Sequence, residues 1–181
     1  LPPPPNYYYY ARTSARASSL AAAASPADFT ITSANATGGQ YGIRVVNQGS
    51  GALTITSTGL AQATGAFDSA FLYGPSGIFA DNSSNGTSLT ITAADTSGER
   101  YGIFASNAGR EALTITSTGT ARGTDGTGIA VTTLNADISV TAQDTTGRRY
   151  GLRVLGYGAS STTVVSNGTA TATGANRTGI S

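Results

Sequence analysis

The chain has 181 residues, a net charge of +1, and only 10% charged side chains, well under the quarter usual for soluble domains. All ten basic residues are arginine, and cysteine, histidine, methionine and tryptophan are absent. That excludes disulfides, thiolate and histidine catalysis, and zinc sites built from Cys or His. So weak a net charge argues against nucleic acid or an anionic membrane as partner. No run approaches the roughly 20 apolar residues of a membrane-spanning helix.

The first 27 residues differ from the rest. Pro2-Pro3-Pro4-Pro5 favours an extended polyproline conformation, and Tyr7-Tyr8-Tyr9-Tyr10 and an Ala/Ser-rich run follow. Ala21-Ala22-Ala23-Ala24-Ser25-Pro26-Ala27 has the small residues of a signal-peptide end but no apolar stretch before it. This segment, 1–27, reads as a flank or linker, with a cap on the first rung as the alternative.

Repetition governs residues 28–181. Leu53-Thr54-Ile55-Thr56-Ser57-Thr58-Gly59 returns letter for letter at Leu113–Gly119. One strand family is centred on Ile31, Ile55, Ile91, Ile115, Val140 and Val164, at steps of 24, 36, 24, 25 and 24 residues. Apolar and polar residues alternate in it, the period of a strand with one buried face. Leu53, Ile55 and Ser57 therefore point inward, and Thr54, Thr56 and Thr58 outward. A second family follows the phrases Tyr41-Gly42-Ile43, Gly77-Ile78, Tyr101-Gly102-Ile103, Gly128-Ile129 and Tyr150-Gly151-Leu152. A third short strand per turn is expected near Thr120-Ala121-Arg122 and Thr169-Ala170-Thr171. Corners are expected at Thr37-Gly38-Gly39, Asp95-Thr96-Ser97-Gly98, Asp125-Gly126 and Asp144-Thr145-Thr146-Gly147. One turn of about 24 residues cannot bury its own apolar face, so stacking must supply the core. The expected fold is all-β: a right-handed, three-sided parallel β-helix of about six rungs, paired into modules of about 49 residues. The closing Thr178-Gly179-Ile180-Ser181 matches the start of another strand, which suggests a longer array.

Three features are candidates for function. The 36-residue step holds an insertion, 66–76, with Phe67, Phe71, Leu72 and Tyr73. Insertions leave a solenoid as loops, so this one is either an exposed contact patch or a cover folded back on the flank. The outward threonines, among them Thr54, Thr56, Thr90, Thr92, Thr114 and Thr116, should form two files up one face. Such Thr-x-Thr files resemble those of ice-binding β-solenoids, although threonine is also simply a good strand former. Asn47, Asn82 and Asn107 recur at one place in successive turns, as a hydrogen-bonded ladder, as turn residues, or as both.

Chemistry is poorly supported. Asp95-Thr-Ser-Gly and Asp144-Thr-Thr-Gly do not match the Asp-Thr-Gly spacing of aspartic proteases. The nine acidic residues are scattered, whereas polysaccharide-cleaving β-helices gather several on one face. Asp81 should stand alone between Val46 and Ser106. The calcium-binding nonapeptide of β-rolls is missing. The chain reads as a non-enzyme with neither cofactor nor metal. Arg148-Arg149 and Arg153 form a small basic spot, too small to argue for nucleic acid.

Over residues 28–181 the repeat resembles those of bacterial autotransporter passenger domains, the type V secretion family. The phrases that carry this are Tyr-Gly-Ile, then Asn two residues before a Gly, then Leu-Thr-Ile-Thr-Ser-Thr-Gly. The resemblance implies a cell-surface or secreted β-helix, anchored in the outer membrane by a C-terminal barrel of the full-length protein. It implies adhesion or aggregation, through a host or bacterial surface component or self-association, without membrane insertion by this segment. The competing expectations are an ice- or surface-binding solenoid and a subunit of a self-assembling extracellular filament.

Overall fold

The computed structural model describes residues 18–22, 26–67, 73–159 and 161–181. Among them every regular element is a strand, and the strands form three parallel sheets. The chain visits the sheets in rotation, one strand in each per turn, so that strands three apart in sequence are hydrogen-bonded neighbours. The result is a β-solenoid of six rungs, spanning 29–47, 53–82, 89–107, 113–134, 138–157 and 162–180.

The threonine sheet holds Phe29–Ser33, Leu53–Ser57, Leu89–Ala93, Leu113–Ser117, Ile138–Ala142 and Thr162–Ser166. Register is even from end to end: Ile31, Ile55, Ile91, Ile115, Val140 and Val164 lie one above another. Alternation forces this register, because a slip by one residue would turn every isoleucine outward. The short-strand sheet is built from three-residue strands such as Ala36–Gly38, Ala121–Gly123 and Ala170–Ala172. The third sheet, called here the aromatic sheet, holds Tyr41–Asn47, Ser76–Asn82, Tyr101–Asn107, Thr127–Leu134, Tyr150–Tyr157 and Thr178–Ile180.

The expected corners are corrected in part. Asp95-Thr-Ser-Gly and Asp144-Thr-Thr-Gly are corners only at their aspartates; Thr96–Gly98 and Thr145–Gly147 are strands of the short-strand sheet. Thr37 and Gly38 likewise belong to a strand. Three residues with small side chains carry too little period to be told from a turn. In addition, Ser18–Ala22, within the flank, is a strand paired in parallel with Ile43–Asn47. Among the described residues the aromatic sheet therefore has seven strands where the others have six.

The interior is a column of aliphatic side chains. Leu53, Ile55, Ile78, Leu89, Ile91, Ile103, Leu113 and Ile129 are fully buried. Each inward residue meets its equivalent in the rungs above and below, and all join one cluster running from Phe29 to Leu152. At about 25 cal/mol per Å² of buried apolar surface, this column is what stabilises the stack.

The two-rung module has a physical basis at the corner between the threonine and short-strand sheets. In the first, third and fifth rungs that corner carries Asn35, Asp95 and Asp144. Their Oδ1 atoms accept the N–H of Leu60, Thr120 and Thr169 in the next rung, at 2.9, 2.8 and 2.8 Å. The residue just before each donor is Gly59, Gly119 or Gly168, where an added Cβ would lie 2.5, 2.4 or 2.6 Å from the same oxygen. Acceptor and glycine thus require each other, and they alternate by rung. The two aspartates act across rungs, beyond the corner role expected for them.

Candidate functional site

The side chains not used for the core fall on two outward faces. On the threonine sheet, Thr30, Thr54, Thr90, Thr114, Ser139 and Thr163 form one file in register. Thr32, Thr56, Thr92, Thr116, Thr141 and Val165 form the other. Thr54, Thr56, Thr90, Thr114 and Thr116 are half-buried by their neighbours along the file, and Thr92 is exposed. Rungs stand roughly 4.8 Å apart and alternate residues roughly 6.6 Å apart along a strand, so the face is a flat, regular grid.

The aromatic sheet carries the denser chemistry. Its first outward file reads Tyr41, Ser76, Tyr101, Thr127, Tyr150 and Thr178. Its second reads Arg44, Phe79, Phe104, Ala130 and Arg153. Phe79 and Phe104 stack with centroids 5.3 Å apart and planes 10° from parallel. Tyr41 leans on Phe79 at 5.5 Å and Tyr101 on Phe104 at 5.1 Å. Guanidinium groups continue the row: Arg44 stands 5.5 Å over Phe79, and Arg153 stands 5.5 Å over Tyr150. Contacts of this geometry contribute about 0.5–1 kcal/mol each and hold the side chains in place; they leave Phe79 only 3% exposed.

Both described ends of the insertion lie on this row. Tyr73 sits against Phe79 at 5.2 Å and Phe104 at 4.7 Å. Phe67 lies under Arg100, whose guanidinium is 5.0 Å away, and its N–H donates to the Glu99 carboxylate. The insertion therefore touches the flank at each end, yet Phe67 stays 45% exposed and Tyr73 40%. Phe71 and Leu72 lie outside the described residues. The sequence reading named Phe67 and Tyr73 but missed Phe79, Phe104, Tyr101 and Arg100. Phe79 and Phe104 carried a signal, as the residue after each Gly-aliphatic pair, which alternation sends outward; Arg100 and Tyr101 precede the pair and carried none of that kind.

Asn47, Asn82 and Asn107 are buried and linked. Asn47 Nδ2 donates to Asn82 Oδ1 at 2.8 Å, and Asn82 Nδ2 donates to Asn107 Oδ1 at 2.8 Å. Both ends of the ladder also bind corner backbone: Asn47 Oδ1 accepts from Gly49 N–H, and Asn107 Nδ2 donates to the Glu111 carbonyl. None of the three has a positive φ. Among the described residues that conformation belongs to Asn135 and Asn176, besides glycine. The ladder also closes the Asn82-Ser-Ser84 sequon, since Asn82 is 0% exposed in the folded chain.

Charges elsewhere serve the corners. Asp81 faces out between Val46 and Ser106, as expected. Arg148 forms an exposed ion pair with Asp125. Asp144 accepts from both the N–H and the Oγ1 of Thr169 at 2.8 Å. Those two donors favour the ionised form and lower its pKa, the backbone bond most. A lowered pKa contributes stability that is present above the unfolded value, about 4, and lost as the pH falls through the folded value. Asp144→Asn keeps the acceptor, as Asn35 does in the first rung, without the titration. Thermal unfolding should therefore show wild type losing stability relative to Asp144→Asn below about pH 4. Equal acid dependence of the two proteins would refute that role for Asp144.

Among the described residues no three His, Cys, Asp or Glu side chains converge as metal ligands. No helix among them is long and apolar enough to cross a membrane. Compared with known proteins, the chain matches no family model, no curated protein and no solved structure.

Proposed function

We propose that this solenoid is a non-enzymatic structural and adhesive segment of a bacterial cell-surface protein, of the autotransporter-passenger kind. The stacked rungs serve as a stiff stalk, and the aromatic sheet is the face that attaches to a host or bacterial surface component or to another copy. The observation that carries this reading is the row of stacked rings and arginines ending in the exposed Phe67 and Tyr73. Aromatic and arginine side chains dominate binding energy where they are held rigidly, since little further entropy is lost on contact.

The in-register threonine grid favours a second reading, adsorption to ice. One paired experiment tests both. Phe67→Ser with Tyr73→Ser removes the exposed rings, and Thr56→Tyr with Thr116→Tyr roughens the grid. Each is assayed for attachment of protein-coated beads to bacterial and host cells, and for slowed ice growth. We expect the first pair to reduce attachment about tenfold or more and the second to leave it unchanged. Ice-growth inhibition by the native chain, lost only in the threonine variant, would replace adhesion with the second reading.

A further inference from the structure

The aromatic sheet has the same gap twice, and only one of the two is filled. Small residues separate the tyrosines of its first file: Ser76 lies between Tyr41 and Tyr101, and Thr127 lies between Tyr101 and Tyr150. Over Ser76 the neighbouring file supplies Phe79, and Tyr73 closes on top of it. Over Thr127 the neighbouring file supplies only Ala130. A cleft of about 190 Å³ results, floored by Thr127 and Ala130. Phe67, Tyr101 and Tyr150 supply its rings, and Arg100, Arg149 and Arg153 its cations.

The charges in the cleft are unequally committed. Of its two carboxylates, Asp125 is paired with Arg148, and Glu99 accepts the Phe67 N–H. Among the described residues none of the three lining arginines has a carboxylate within ion-pair distance. Arg149 and Arg153 are exposed. The volume is below the roughly 300 Å³ at which sites for drug-sized molecules begin, so it takes one ring of a chain rather than a whole ligand. Rings offer faces to stack on, free guanidinium forks bind carboxylates, and the two acids accept hydroxyl protons.

We infer that this cleft binds one acidic sugar unit, a uronate, of an anionic polysaccharide. The saccharide would continue along the ring row toward Phe104 and the exposed Tyr73. Single-stranded nucleic acid also stacks on aromatic rings beside arginine. Within a strand, however, a nucleotide has at most one free hydroxyl to donate to the Glu99 and Asp125 carboxylates, whereas a uronate unit has at least two. The inference rests on the adhesive reading of the aromatic sheet and names what that face holds.

The test is calorimetric titration of the full chain with oligogalacturonate, with its methyl ester, and with oligo(dT). We expect oligogalacturonate to bind, and esterification to weaken it at least tenfold because the charge is lost while the ring remains. Arg149→Ala combined with Arg153→Ala, both at exposed positions, should weaken it similarly. Ala130→Phe should also do so, because it extends the Phe79–Phe104 stack into the cleft. Absence of binding at millimolar oligogalacturonate, equal affinity for the ester, or full affinity in the arginine variant would each overturn the inference. Tighter binding of oligo(dT) would overturn it in favour of nucleic acid. Bead attachment that persists without saccharide binding would remove the cleft and leave the adhesive face standing. Saccharide binding without attachment would do the reverse.

Discussion

Ile115→Asp is expected to abolish the folded state of the central rungs, at a cost of about 4 kcal/mol or more. Ile115 is 1% exposed and sits in register between Ile91 and Val140. A carboxylate there has aliphatic neighbours above and below and no donor among the inward residues of its own strand, Leu113 and Ser117, except one hydroxyl. It must either ionise in hydrocarbon or take up a proton, and both are costly. Its position in the fourth rung matters as much as its burial. A solenoid is stabilised by nearest-neighbour interfaces, so failure at one rung uncouples the rungs on either side. Thr114→Asp, one residue away on the outward file, should change stability by only about 0.5 kcal/mol. Chemical denaturation of the two variants decides the matter, and comparable losses in both would mean that the inward and outward assignments are wrong.

That contrast is legible in the sequence because strand periodicity is two and the threonine strands obey it for five residues. The six-rung stack and the inward set followed directly. What resisted reading was whatever depends on register between rungs. The strands Ala36–Gly38, Thr96–Gly98 and Thr145–Gly147 are three residues of small side chains, and they looked like the corners that flank them. Ser18–Ala22 carries no repeat and pairs only because Ile43–Asn47 offers an edge. Phe79 and Phe104 were visible as strand residues, but their stacking appears only when the 36-residue step places Ser76–Asn82 beside Tyr101–Asn107. Asp95 and Asp144 were expected only as corner residues, and Asn35 was not singled out; the bonds of all three to the next rung, and the glycines that make room for them, are properties of the stack. The asparagine ladder was one of two compatible readings, since nothing local separates it from repeated turn asparagines.

The ladder supports the second large effect. Asn82→Asp should destabilise the chain by about 3 kcal/mol at neutral pH, and the loss should shrink as the solution is acidified. Asn82 is fully buried and both gives and receives: it accepts from Asn47 and donates to Asn107 and to the carbonyls of Thr87 and Ser88. An ionised carboxylate can accept from Asn47 but cannot donate, and it would face Asn107 Oδ1 and the two carbonyls with lone pairs opposed. Protonation restores one donor, so the folded chain should hold the proton to a higher pH than the unfolded chain does. A raised folded pKa makes stability fall as pH rises, so the variant gains on wild type below the folded value and is furthest behind near neutrality. Asn82→Leu separates the causes, because it removes the donors without adding charge and should show a loss independent of pH. Denaturant midpoints for the three proteins from about pH 4 to pH 8 are the measurement. A deficit in Asn82→Asp that stays constant across that range would mean the carboxylate escapes to water, and that the ladder yields at its middle rung.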